Sequence, residues 1–331
     1  MTLRQIYTIL ILLISLSIPA QTINEPSPIE WDGYTQLRFT SNLNSENNFA
    51  MRRMKLWIGS APEFSNHWGF HLQTTITSLQ NEKFLLQDVM AFYEQGQFRV
   101  NMGQFVPHYS LQRFQHDYEI PLTERTGVIN ALIPNGTLGV RDIGIEAQYT
   151  TRKKHVTVWL GAFNGYGIKE YRLDNTGFLF TQKTAFDIFS NHLYAGYSVM
   201  IRQADQLKIS NVLPDSVSYS GNDFRFNLFA QWHTERFNIQ AEYLQANLDG
   251  NMANGWYVLV NTNFGKNQLV ASWNQYNDLI SETENYPEVH LGYNYKLNGD
   301  KLKVMLDNRM KVANGKLNNY SVNLQLQLFF R

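Results

Sequence analysis

The chain has 331 residues and no cysteine, which excludes disulfides, thiol nucleophiles and thiolate metal sites. Charge is also scarce. Asp, Glu, Lys and Arg together make up 17% of the sequence, against roughly 25% in ordinary soluble domains. The 28 basic residues match the 28 acidic ones, so net charge gives no case for a nucleic-acid partner. After the first twenty residues, no stretch approaches the roughly eighteen consecutive apolar residues that a spanning helix needs. The eight histidines are scattered, with no His-Glu-x-x-His spacing, and Asn135-Gly136-Thr137 is no phosphate-cradling loop. Neither a cofactor nor a metal is expected.

Aromatic and uncharged polar residues are abundant instead. Aromatics reach 14%, yet mean hydropathy is negative, because Asn, Gln, Ser and Thr fill the polar positions. A helical membrane protein would be far more apolar. The N-terminus reads as an export signal: Arg4 is the positive start, Ile6 to Ile18 the apolar run, and Pro19-Ala20-Gln21 the cleavage region. A single membrane anchor is the other reading, but the run is short for one. The expected organisation is a signal peptide over 1–20, a short lead-in over 21–29 and one β-domain over 30–331.

The stretch Tyr320–Arg331 sets the pattern for that domain. Tyr320, Val322, Leu324, Leu326, Leu328 and Phe330 fall on one side of an extended strand, and Ser321, Asn323, Gln325 and Gln327 on the other. About eleven residues bounded by aromatics fit a tilted strand crossing a bilayer. The pattern repeats upstream. Expected strands are Glu30–Ser41, Phe49–Ser60, His67–Ser78, Leu86–Glu94, Gln97–Phe105, Gly139–Thr150, Lys154–Asn164 and Ser190–Arg202. A weak candidate at Asp205–Leu213 follows, then Asp223–His233, Arg236–Leu248, Asn254–Phe264, Lys266–Asn277, Pro287–Asn298, Asp300–Val312 and the final strand. The total is about sixteen, and because Asp205–Leu213 is weak, about fourteen is the other count.

Connections alternate in length. Gln95-Gly96, Thr151–Lys153, Gln203-Ala204, Thr234-Glu235, Gly265 and Gly299 mark tight turns. Val106–Leu138, Gly165–Phe189, Pro214–Asn222 and Asp278–Tyr286 are long, and Ala61–Asn66 breaks the rule. Short turns at one end and long loops at the other are the layout of a transmembrane antiparallel β-barrel. So many half-apolar strands need lipid or a second sheet to cover them, and in lipid the sheet must close. Apolar side chains then face hydrocarbon all round, with polar and charged groups around water within. The alternative fold is a secreted β-sandwich that binds carbohydrate through its Trp and Tyr side chains.

A barrel of this size encloses an aqueous lumen, and a charged constriction selects the solute. The candidate constriction is Val106–Leu138, too long for a loop without a role. It carries Arg113, His116, Asp117, Glu119, Glu124 and Arg125, and Thr123–Ala131 is predicted to form a short helix capped by Thr123. By strand parity Arg38, Arg53, Lys55, Arg99 and Arg225 also face the lumen, as do Asp142, Glu146, Glu242 and Glu288. Arginine suits phosphate and carboxylate because its planar fork donates two hydrogen bonds. Small anionic solutes are therefore the expected cargo. An outer-membrane hydrolase would need His beside Ser on adjacent strands; Ser190 with His192, or Ser272 with His290, are the available pairs.

Three stretches resemble the phosphate-selective porins of the O and P type. Met51-Arg52-Arg53-Met54-Lys55-Leu56-Trp57-Ile58-Gly59 resembles their basic second strand. Gly103-Gln104-Phe105-Val106-Pro107-His108-Tyr109-Ser110 resembles the entry to their constriction loop, and Arg141-Asp142-Ile143-Gly144-Ile145-Glu146-Ala147 the strand returning from it. The resemblance implies a sixteen-stranded, homotrimeric porin in a Gram-negative outer membrane with an Arg-rich pore. Arg53 and Lys55 match the basic strand, and Arg113 and Arg125 lie in the corresponding loop. A full arginine ladder is not matched, and Arg331 follows Phe330 where the family tends to finish on an aromatic.

Overall fold

The computed structural model describes residues 29–331 apart from 43–45, 63–64, 79–82, 169–176, 190–191, 284 and 314–315. The expected signal segment and nearly all of the lead-in lie outside the described residues, as does Ser190. Sixteen strands form among them. In chain order they are β1 (Ile29–Asn42), β2 (Glu46–Ser60), β3 (Trp68–Thr77), β4 (Lys83–Gln95), β5 (Phe98–Phe105), β6 (Asp142–Thr150), β7 (Val156–Phe163) and β8 (Leu179–Ile188). The second half is β9 (Leu193–Leu207), β10 (Tyr219–His233), β11 (Phe237–Leu248), β12 (Asn251–Phe264), β13 (Asn267–Asn277), β14 (Glu288–Asp300), β15 (Leu302–Ala313) and β16 (Lys316–Phe330). Each strand pairs antiparallel with its sequence neighbours, and β1 pairs with β16. The sheet is therefore one closed ring, not two stacked sheets, and no backbone edge faces lipid.

The seam shows the two faces of the wall. Inside it, Gln36 Nε2 donates to Gln327 Oε1 at 2.7 Å, Arg38 Nε to Gln325 Oε1 at 2.9 Å, and Thr40 Oγ1 to Asn323 Oδ1 at 2.8 Å. Outside it, Leu37 lies opposite Leu326 and Phe39 opposite Leu324. Leu324, Leu326 and Leu328 are exposed, whereas Asn323, Gln325 and Gln327 are buried. An arginine at Leu326 would place its charge in hydrocarbon. Leu326→Arg is expected to destabilise the barrel by about 2–4 kcal/mol, read as a lowered urea midpoint for the loss of heat-modifiable migration. An equal stability of variant and wild type would refute the outward placement.

Two expected elements need correction. The connection Gly165–Phe189 contains β8, and Asp205–Leu213 is not a strand, so the count of sixteen survives with different members. β8 puts Gln182 and Thr184 on its outer face and Leu179 and Ala185 inside, which erases the alternation. In the second stretch β9 runs through Gln203-Ala204 to Leu207, so no turn falls there. Leu207, Ile209 and Val212 mimic a strand but are buried in an apolar cluster with Ala246 and Ala253.

The interior is also not uniformly wet. Leu244, Ala246 and Leu248 of β11, Ala253, Tyr257 and Leu259 of β12 and Val270 of β13 are buried in one cluster with residues 105–138. The β10–β13 side of the lumen is thus an apolar core, not a water channel.

Candidate functional site

The segment that fills this side is the connection between β5 and β6, residues 106–141. It touches inward side chains on β14, β15, β1 and β2 and, across the ring, on β10 and β11. Only a loop folded into the barrel reaches both. Near the end of β5, Gly103 lies tight against β4: at φ +124°, a Cβ there would lie 2.3 Å from the Val89 carbonyl oxygen. One helical segment, α1 (Gly127–Leu132), presents Val128, Ile129, Ala131 and Leu132 to the apolar wall. It is shorter than predicted and its N-cap is Thr126, not Thr123. The Thr123 hydroxyl instead donates to Asp307 at 2.6 Å. Gly255 of β12 lets the helix approach, because a Cβ there would sit 2.8 Å from Val128 Cγ2.

An irregular buried loop leaves N–H and C=O groups that secondary structure cannot satisfy. Inward charges on the wall satisfy them. Glu242 accepts from the backbone N–H of Leu111 (2.9 Å) and Gln112 (2.7 Å), and Glu146 from that of His108 (2.9 Å). Lys183 donates to the Ser110 carbonyl (2.7 Å), Arg225 to that of Ile133 (2.7 Å) and Lys303 to that of Tyr118 (2.6 Å). Asp142 accepts from Asn135 Nδ2 and Gly165 N–H. Asp142, Glu146 and Glu242 therefore hold the loop and do not line water.

On the opposite wall the loop is fastened by charge. Glu124 pairs with Arg38 (2.7 Å), Arg52 and Arg53 (3.5 Å), and Asp117 with Arg53, Lys55 (2.5 Å) and Arg125. Arg52 joins through a β-bulge. The β1–β2 register jumps from Gln36–Arg53 to Leu37–Met51, so Arg52 has no opposite residue and turns inward beside Arg53. Simple alternation assigns Arg52 to the lipid face. The adjacent pair Arg52-Arg53 is the one sequence signal that betrays it, since a charge pair cannot straddle wall and lipid cheaply.

The seven predicted basic residues separate into distinct settings. Arg38 is bound to Gln325, Glu124 and the Thr123 carbonyl, and Arg53 to Asp117 and Glu124. Arg225 is 1% exposed, held by Asp223, and lies away from open space. It locks the loop and does not line the pore. Lys55, Arg99, Arg113 and Arg125 border a cavity of 380 Å³ between the loop and β2–β6. Arg99 sits over the Phe92 ring at 4.0 Å and pairs with Glu94. Arg125 is spent on Asp117 and the carbonyls of Gln112 and Gln115. Among the described residues, Arg113 alone of the seven has a guanidinium with no hydrogen bond or ion pair, and its Nε is buried. Arg141, which parity in the expected strand Gly139–Thr150 puts on the face of Ile143, lies just before β6 and joins the same wall, paired with Asp88 at 2.9 Å.

Of the two hydrolase pairs, Ser190 with His192 falls partly outside the described residues, and Ser272 with His290 does not assemble. Ser272 lies opposite His290, but its hydroxyl makes no hydrogen bond. The His290 ring nitrogens engage Asp307 (3.2 Å) and Glu288 (2.5 Å) instead.

No curated protein matches the chain. Solved structures are similar to it over 91% of its length. They include Salmonella typhi OmpF in complex with daunomycin, at TM-score 0.63 and 11% identity with 97% of that chain covered. The in-vitro folded trimer form of Vibrio cholerae OmpT, an outer membrane protein, gives TM-score 0.61 and 11% identity over 99% of that chain. A triple mutant of the Rhodopseudomonas blastica porin gives 0.61 and 9% over 100%. At such identities the likeness establishes the fold. The model of the family "phosphate-selective porin O and P" matches residues 29–322, and the chain therefore belongs to that family of outer-membrane porins.

Proposed function

We propose that the barrel is a passive channel for small hydrophilic solutes with a preference for anions, phosphate among them. The carrying observation is the cavity beside the loop, whose lining among the described residues sets Lys55, Arg99, Arg113, Arg125 and Arg141 against two carboxylates, Asp88 and Asp117. A narrow, low-dielectric passage focuses that excess of positive charge on a passing ion. Arg113 is the group with capacity to spare. Burial, and after it the nearby Arg141, pushes its pKa down to about 9, which an arriving anion would reverse.

The test is the reversal potential of the purified protein in a planar bilayer under a KCl gradient. An anion-favouring potential is expected, and Arg113→Gln should move it toward zero. A cation-favouring potential would overturn the reading. Export by a signal cleaved near Ala20 and assembly as a homotrimer complete the proposal. The trimer form of the Vibrio cholerae outer membrane protein OmpT supports the latter, and N-terminal sequencing and cross-linking in the outer membrane check both.

A further inference from the structure

The cavity also has a lining that an inorganic anion would not use. Beside Arg113, Arg141 and Lys55, the rings of Trp57, Phe114 and Tyr118 border the same space. Tyr118 stacks on His116 with centroids 4.9 Å apart and planes within 5°, and lies offset from Trp57 at 6.3 Å and 20°. Phe114 stacks on His108 at 4.0 Å and 12°. Rings that belong to the core, such as Tyr109 and Phe163, are each 1% exposed. Trp57, Phe114 and Tyr118 are only half-buried and border open space. A hydrated inorganic ion gains nothing from such surface, because apolar burial rewards apolar solutes.

We propose that this cavity binds small organic anions that carry a ring, with the carboxylate or phosphate-monoester group on Arg113 and the ring against Trp57, Tyr118 and Phe114. The inference rests on the anion preference above and narrows it. Arg113 supplies a bidentate donor fork with a free Nε, and Arg141 and Lys55 add positive field from positions already held by Asp88 and Asp117. The rings supply offset or edge contacts, and the 380 Å³ volume lies within the range of about 300–1,000 Å³ for small-molecule sites.

The full-length protein in planar bilayers is titrated with two matched pairs of probes, benzoate against acetate and phenyl phosphate against inorganic phosphate. The readout is block of the KCl current. Each ring-bearing probe is expected to block at about tenfold lower concentration than its ringless partner. An advantage confined to one pair identifies the head group as carboxylate or phosphate monoester. Trp57→Ala should bring the ratio within each pair close to one. Trp57→Leu, which keeps apolar bulk without a ring, should fall between, and Arg113→Gln should weaken both members. Equal block within both pairs would overturn the proposal, even in a channel whose KCl reversal potential favours anions. A cation-favouring potential would instead fell the reading beneath it, so the two failures are separable. Heat-modifiable migration shows that each variant has folded.

Discussion

Replacing Glu124 with glutamine is expected to detach the constriction loop from β1 and β2 and open a larger conductance state. Glu124 is 20% exposed and is the shared partner of Arg38, Arg52 and Arg53. Without its charge, three guanidinium groups crowd one corner and only Asp117 remains to offset them. Breaking a buried ion pair from one side costs about 3–5 kcal/mol. Taken at the low end for partial exposure, about 3 kcal/mol raises the population of detached loop roughly 150-fold. Single-channel recordings should show a higher, noisier main level, while the barrel remains heat-modifiable. An unchanged conductance would show that the loop does not depend on this anchor. A pH corollary follows. Burial alone would raise the Glu124 pKa, but Arg52, Arg53 and Arg38 outweigh it and hold the carboxyl below the usual range. A depressed pKa gives stability that is full above the ordinary value of about 4.3 and is lost as pH falls through the lowered one. Acidification to about pH 4 should therefore leave the wild-type loop in place.

The second large effect is expected at the opposite anchor. Ile129 is fully buried with Leu132, Leu244 and Tyr257 in the apolar half of the lumen. An aspartate there must lose its charge or leave, since an isolated buried carboxylate is far costlier than the contacts it replaces. Truncation alone, Ile129→Ala, should cost about 2–5 kcal/mol. Ile129→Asp should therefore expel α1 from β11–β13 and expose residues 123–135 to added protease, with the wall still intact. Protection of those residues from protease in the variant would refute the apolar anchor. Both anchors hold one loop, so the double variant with Glu124→Gln should show less than the sum of the two effects.

The wall itself was legible from its alternation. Asn323, Gln325 and Gln327 face inward and Leu324, Leu326 and Leu328 outward, as period two requires. β8 escaped because its inner face meets the apolar half of the lumen, so Leu179 and Ala185 stand where polar residues were expected. The same apolar half explains the false strand: Leu207, Ile209 and Val212 alternate for a neighbour inside the barrel, not for lipid. Parity also reported which side a charge faced without saying what it met. Arg225 and Glu242 face inward as expected, yet they meet loop backbone, whereas Arg113 meets open space. That distinction depends on contacts more than 90 positions apart in sequence, which no local pattern encodes. Arg52 needed the register of β1 against β2, a property of two strands together.

The bond between Gln36 and Gln327 joins positions 291 apart. A partly synthesised polypeptide can pair its first strand on the β2 side only, and a gap of even one strand would leave raw amides in oil. Translation and enclosure must then be separate events. The chain has to be kept unfolded by escorts until its far end arrives, and it enters the bilayer as a unit. Stalled or clipped precursors should accordingly be found bound to holdases and degraded, never as smaller pores.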